Sequence, residues 1–188
     1  MDNRDILLTR ALELFAARGY DGVGVQEIAA AAKVTKPTLY HYFGSKRGLL
    51  EALLEARLVP FEEELAKASH FTGDMPHSLE KVAKAFFSFA QSSPDFYRLS
   101  ASLYLSPPQS EGRAVATPYH LRQHRLLSRM FEDAAERHGN MRGRHERYAL
   151  TLRGMIDGYI FAILDGNARP DGKLLADLVQ QFSYGIYS

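Results

Sequence analysis

The sequence predicts an all-α protein, and three observations carry that expectation. Apolar residues recur at three- and four-residue spacing along almost the whole chain. No convincing run of alternating residues is bounded by hairpin turns. The breaks between the periodic segments hold the residues that start and stop helices.

Ile6, Leu7, Ala11, Leu14 and Phe15 form one face of a first helix, which Gly19 ends as a C′ residue. A short helix follows over Val25 to Ala32, with Ile28 and Ala29 facing inward and Gly24 at its N-cap. Lys33 and Val34 leave room only for an abrupt turn. Thr35 then caps a third helix, and Pro37 fits its first turn, where a missing N–H costs little. Ser45 is the next N-cap, and Leu49, Leu50, Leu53 and Leu54 open a longer helix that Pro60 kinks without necessarily ending. The segment HFTGDMPHS reads as a loop, followed by the apolar arc Leu79, Val82, Ala83, Phe86, Phe87 and Phe89. Ser93 or Asp95 restarts the chain beside Pro94, and SPPQSEG is the next clear break. Thr117 as N-cap and Pro118 at the first helical position predict a long helix from there to about His138. Beyond HGNMRG, a helix over about Arg144 to Leu164 carries Tyr148, Leu152, Met155, Ile156, Tyr159, Ile160 and Ile163. After NARPDG, the residues Leu174, Leu175, Leu178, Val179, Phe182 and Ile186 mark a last helix.

At 188 residues and 46% hydrophobic, the chain can bury one good core, or one core and a small appended domain. It has no cysteine, which removes disulfides, thiolate metal sites and cysteine nucleophiles together and fits a reducing cytoplasm. Charges at Asp2, Arg4, Asp5, Arg10 and Glu13 break the apolar run that a signal peptide needs. No stretch of roughly 18 apolar residues supplies a membrane span. A soluble, cytoplasmic protein without a membrane partner is the expectation. A formal net charge of +1 does not announce nucleic-acid binding, so the placement of charge has to decide.

That placement is uneven. Lys33, Lys36, Lys46 and Arg47 lie within residues 33–47, a stretch with no acidic residue. Two short helices joined by a tight turn and preceded by a stabilising helix form a helix-turn-helix, whose second helix enters the DNA major groove. In VTKPTLYHYFGSK, Leu39 and Phe43 pack inward at i and i+4, while Lys36, Thr38, Tyr40, His41 and Tyr42 reach outward or to the rim. Phosphate contacts fix register and base-edge contacts discriminate sequence, so lysines and hydroxyls beside one or two base readers fit this face.

The stretch GYDGVGVQEIAAAAKVTKPTLYHYFGSKRGLLEAL resembles the DNA-binding region of the TetR family of bacterial transcriptional regulators, in its turn, its LYHYF core and the following Ser45 and Lys46. The resemblance covers about the first third of the chain; beyond it only length and helix pattern agree. It implies a homodimer of all-helical subunits, divided into a helix-turn-helix domain over residues 1–48 and an effector-binding and dimerisation domain over 49–188. It implies a double-stranded DNA operator, with base-edge contacts from Lys36, Thr38 and Gln26. Tyr40, Tyr42 and Lys46 would hold phosphates, and Pro37 and His41 would lie against backbone or a thymine methyl, with Thr35 beside them. Gly24 departs from the serine or threonine frequent there, so that phosphate contact is expected to be a bare backbone N–H or absent.

The last two helices look too apolar for a surface that meets only water, and the resemblance implies their pairing with symmetry mates in a four-helix bundle. The middle of the chain is rich in aromatics, each a normal core residue alone but together the usual lining of an apolar small-molecule site. Phe86, Phe89, Tyr104, Tyr119, Gln123, His124, Phe131, Arg153 and Tyr159 are the candidate effector residues, with His120 and Asp157 as further polar groups. His120 and His124 also have the H-x-x-x-H spacing of zinc sites, but Leu121 stands where a zincin has glutamate. Rim histidines without a metal are expected, and no cofactor. For an enzyme the sequence is nearly silent: no glycine-rich phosphate loop follows a strand, no nucleophile elbow occurs, and Glu62, Glu63 and Glu64 read as a solvated helix face. A repressor released from a palindromic operator by a small, largely apolar effector is the leading expectation. An interaction protein of the same fold without sequence-specific DNA binding is the alternative.

Overall fold

The computed structural model describes residues 2–137 and 139–185, with the side chain of residue 140 also outside the described set. Among these residues the structure is all-α, with no strand. The helices are α1 (Asn3–Arg18), α2 (Val25–Ala31), α3 (Lys36–Phe43), α4 (Lys46–Ala68), α5 (Met75–Ser92), α6 (Pro94–Leu105), α7 (Glu111–Ala135), α8 (His145–Leu164) and α9 (Gly172–Tyr184), with a 3₁₀ turn at Gly139–Met141. The chain forms two compact units, one of residues 1–60 and 93–120, the other of 61–92 and 121–188.

In the first unit α1 packs on α2 and α3, and α2 packs on α3. Leu7, Ala11 and Phe15 of α1 are buried, as are Ile28, Leu39, Leu49 and Leu50. The sequence sets each boundary chemically. The Asp2 carboxylate accepts from the Asp5 N–H at 2.8 Å, and Gly19, at φ +74°, closes α1 through its N–H to the Phe15 carbonyl. Thr35 Oγ1 accepts from the Thr38 N–H at 3.3 Å, and Pro37 sits in the first turn of α3. Ser45 Oγ accepts from the Gly48 N–H at 2.9 Å and starts α4. A Cβ at Gly48 would lie 2.0 Å from the Phe43 carbonyl oxygen, so only glycine fits under this cap. α6 packs on α1, and the first turn of α7 closes onto Tyr20 at Gly112, where a Cβ would lie 2.6 Å from Leu103 Cδ2.

In the second unit α5 packs on α8 and α9. Its core is Val82, Phe86, Leu127, Phe131, Leu152, Ile156 and Leu178. Ile186, expected on the last helical stripe, lies outside the described residues.

Two expected helix starts are corrected. α5 begins at Met75 inside the presumed HFTGDMPHS loop, because Asp74 Oδ1 accepts from the His77 N–H at 2.9 Å and Pro76 occupies the first turn. α7 begins at Glu111, with Ser110 Oγ accepting from Arg113 N at 3.3 Å. Thr117 is no cap: its hydroxyl donates to the Arg113 carbonyl at 2.8 Å, and Pro118 lies inside the helix. Pro60 likewise lies within α4, which runs on to Ala68.

The turn between α2 and α3 is a Schellman closure. Lys33 N–H donates to Ala30 O and Val34 N–H to Ala29 O, both at 3.0 Å. Lys33, at φ +55°, is the only described non-glycine residue with positive φ. A left-handed L-residue costs about 1–2 kcal/mol, so Lys33→Gly is expected to stabilise the protein by ~1 kcal/mol, read as a rise in the urea midpoint at unchanged slope.

Candidate nucleic-acid interface

α3 makes two faces from eight residues. Leu39 is fully buried and Phe43 half-buried, with Arg4 of α1 lying over the Phe43 ring at 5.7 Å. Around the rest of the helix Lys36, Pro37, Tyr40, His41 and Tyr42 are exposed, Tyr40 and Tyr42 each by 40%, and Thr38 is half-buried. Gln26 is exposed on α2. The candidate set therefore falls on one continuous part of the first unit, built from α2, α3 and the first turn of α4.

The side chains are held as well as displayed. Lys36 Nζ stands 5.6 Å from the Tyr40 ring centroid, and His41 meets Tyr42 edge-on at 5.6 Å. Thr35 Oγ1 and Thr38 Oγ1 are 2.8 Å apart, so the Thr38 hydroxyl is already hydrogen-bonded within the protein. At α2, Glu27 accepts from the Gly24 N–H at 2.9 Å and from Arg18 Nη1 at 2.7 Å, while Arg18 Nη2 donates to the Gly22 carbonyl. The Arg18 hydrogen bond, with that from Gly24, holds the Glu27 carboxyl below its usual range. The Gly24 N–H, expected to make a bare phosphate contact or none, is thus already engaged by Glu27.

Lys46 is anchored in a way the sequence does not announce. Its ammonium lies 4.2 Å from the centroid of the buried Tyr20 ring, and the Tyr20 hydroxyl donates to the Glu111 carboxylate. Hydrogen bonding to a carboxylate enriches the phenol ring, which strengthens its hold on the cation. Lys46 and Arg47 also occupy the first turn of α4, where there is no acidic residue and the helix dipole disfavours cations. Arg47 leans on Glu51 at 2.8 Å. Two cations at a helix N-terminus form a positive end that suits an anion. Arg4, Tyr20 and Arg47 join the site from outside the expected set. Arg47 was legible in the basic run, whereas Arg4 and Tyr20 reach it only through tertiary packing.

The candidate effector residues do not form one cluster. In the second unit, Arg153 lies over the Phe86 ring at 4.5 Å, donates from Nη1 to Gln123 at 2.6 Å, and donates from Nε to both Asp157 oxygens at 2.9 Å. Phe89 stacks on Phe61 at 4.2 Å, and Phe61 meets Phe86 edge-on at 4.9 Å. Phe131 belongs to another group, with Tyr148 and Phe182, on a cavity of about 890 Å³ that Met75, Leu79 and Val179 also line. His124 pairs with Glu146 at 2.5 Å, and Tyr159 donates to Gln181 at 2.9 Å. In the first unit, Tyr104 stacks on His120 at 4.1 Å with Arg113 over its ring, and Tyr119 is half-buried on α7. Among the described residues no three His, Asp or Glu groups converge as a metal site, and no helix is long and apolar enough to cross a membrane.

The Tyr20 anchor has a pH signature. Burial, then the Glu111 hydrogen bond, push its phenol well above the usual tyrosine value. The folded state therefore holds this proton more tightly than the unfolded chain. That stabilisation is complete below pH about 10 and is lost as pH rises toward the raised value. Tyr20→Phe is expected to lose ~1 kcal/mol at neutral pH and to flatten the alkaline fall in melting temperature above about pH 10.

Residues 7–53 match the family described as bacterial regulatory proteins, tetR family. Over 109 residues the chain is 36% identical to the HTH-type transcriptional activator FasR of Mycolicibacterium smegmatis, covering 57% of this chain and 50% of that protein. It is 27% identical over 99 residues to the HTH-type transcriptional repressor NicS of Pseudomonas putida, covering 53% of this chain and 47% of that one. The chain thus spans about half the length of the curated relatives it matches. Its fold is shared with the transcriptional regulator FadR from Bacillus subtilis, at a TM-score of 0.77 over 97% of this chain and 98% of that one with 19% identity. The family match thus falls on the N-terminal region, residues 7–53, which is the region that builds the helix-turn-helix of the tetR family of bacterial regulatory proteins.

Proposed function

We propose that the protein is a ligand-responsive transcriptional regulator that binds a palindromic operator as a homodimer and is released from it by a small, largely apolar effector. The observation that carries this reading is the outer face of α3, where Lys36, Thr38, Tyr40 and Tyr42 surround a helix fixed by a rigid turn. On this reading residues 1–48 bind DNA, residues 49–188 bind effector and partner, and the protein works in the cytoplasm without catalysing a reaction. Lys36, Thr38 and Gln26 read base edges. Thr35, Tyr40, Tyr42 and Lys46 hold phosphates, and Pro37 and His41 lie against the backbone or a thymine methyl.

Two recognition helices reach successive major grooves, roughly 34 Å apart, only if two chains pair. The outer face of α8 supports such pairing. Leu150 is 62% exposed there, and no atom lies within 4 Å of the Cβ positions at Gly154 and Gly158, which leaves room for a helix at close approach. For the effector, the polar trio Gln123, Arg153 and Asp157 beside Phe86, Phe89 and Phe61 combines an apolar wall with a few fixed polar groups. The Bacillus subtilis regulator of this fold was solved with stearoyl-CoA, which favours an acyl chain as the apolar part. The named activity of NicS supports repression, whereas FasR is named an activator, so the sign of regulation is tested directly.

Binding-site selection from random duplexes with the purified protein is expected to enrich an inverted repeat, and stearoyl-CoA or decanoyl-CoA to raise the melting temperature and weaken binding to that repeat. Absence of enrichment at both low and physiological salt, with and without these ligands, favours the interaction protein. A promoter carrying the repeat should lose expression when the protein is present; a gain would make it an activator. Lys46→Ala is expected to weaken binding to all sequences alike and to reduce the salt slope by about one phosphate contact. Thr38→Val should instead change the preferred sequence.

A further inference from the structure

Glu62 belongs to a run of three glutamates in α4, and only its neighbours Glu63 and Glu64 are exposed. The Glu62 side chain is 13% exposed and turned into the second unit. Its Oε2 accepts from Arg122 Nε at 2.8 Å, while its Oε1 is buried and has no hydrogen-bond partner in the protein. A structural Arg–Glu pair gains most when both carboxylate oxygens are engaged. Here one is left out, and an unmatched buried acceptor is a standing cost to the fold.

The surroundings say what would remove that cost. Phe61, the residue before Glu62, forms the aromatic wall with Phe86 and Phe89. Gln123, the residue after Arg122, is 2% exposed and accepts from Arg153. The carboxylate pair and the aromatic group are thus carried by adjacent residues of the same two helices, Phe61 and Glu62 in α4 and Arg122 and Gln123 in α7. Because Arg122 already balances the Glu62 charge, the missing partner is a neutral donor rather than a second cation.

We propose that Glu62 Oε1 is a specificity-determining acceptor for the effector, receiving a hydrogen bond from a hydroxyl or amide N–H on an otherwise apolar molecule. This rests on the reading of the second unit as an effector site. A site built to receive a donor discriminates strongly against an analogue that lacks it, because the acceptor is then left buried and unmatched.

The test uses the full chain with 2-decanol and 2-decanone, which share a carbon skeleton but differ in having a donor or only an acceptor. Calorimetric titration of the wild type is expected to give a Kd at least about tenfold lower for the alcohol. In Glu62→Gln the amide oxygen can keep Arg122 and the NH₂ takes the place of Oε1, so the preference should collapse or invert toward the ketone. Equal wild-type affinities, no binding of either compound, or an unchanged ratio in Glu62→Gln would each overturn the assignment. Should the variant not fold, the wild-type ratio alone still decides. Release of operator by the acyl-CoA thioesters tests the effector reading separately, so a failure at Glu62 can be told from a failure of that reading.

Discussion

The outer face of α3 exists because of one backbone turn. α3 has only eight residues, too few to be helical alone in water, so its order must come from outside it. The Schellman closure at Lys33 and Val34 supplies part, by reversing the chain within hydrogen bonds to Ala30 and Ala29. The Thr35 cap and burial of Leu39 supply the rest. Once these are fixed, helical geometry leaves no choice about which residues face out. Lys36, Pro37, Tyr40 and His41 are exposed because Leu39 and Phe43 are not. The left-handed Lys33 is tolerated because a longer, unstrained connection would free the angle between α2 and α3.

The same unit holds a second constraint, this one electrostatic. Lys46 stands at a helix N-terminus, where a cation is disfavoured, yet it is fixed there by the Tyr20 ring and not by a carboxylate. A carboxylate partner would neutralise the charge, whereas a π-face orients it and leaves it uncompensated. Glu111 acts one step removed, on the Tyr20 hydroxyl. A change at the start of α7 is therefore felt by Tyr20, and through its ring by Lys46. Gly112 lets the start of α7 lie close against Tyr20 and Leu103, since a Cβ there would stand 3.5 Å from the Tyr20 ring and 2.6 Å from Leu103 Cδ2.

What was legible in the sequence is what local chemistry decides. Gly19, Thr35, Pro37, Ser45 and Pro94 state their roles within four residues of themselves, and the helices they bound are where the pattern puts them. Thr117 and Pro118 mimic a helix start so well that only the structure shows α7 already formed seven residues earlier, with Ser110 as the cap. Asp74 was passed over because the residues around it look like loop. The outward set on α3 followed from period alone, but the means of holding it did not: Tyr20 meets Glu111 across 91 positions. Glu62 was hidden by its company, since three consecutive glutamates suggest solvent and only Arg122, 60 residues away, shows otherwise. Aromatic composition marked the effector candidates without dividing them, and the structure separates Phe86 and Phe89 from Phe131.

That division bears on what the second unit is for. If its interior served stability alone, Leu and Phe at the places of Gln123, Arg153 and Asp157 would do as well, because a buried ion pair recovers little beyond its own desolvation. Instead the guanidinium is stacked on Phe86 and tied to two partners, which fixes its direction at the expense of side-chain freedom. Fixed polar groups on an apolar wall discriminate among ligands in a way that a uniform core cannot. The cavity beside Phe131, Tyr148 and Phe182 has volume, but no ion pair like the part-buried Arg153–Asp157 pair is found among its described lining residues. The two places thus differ in kind: one carries fixed polar groups on an apolar wall, the other is an open volume.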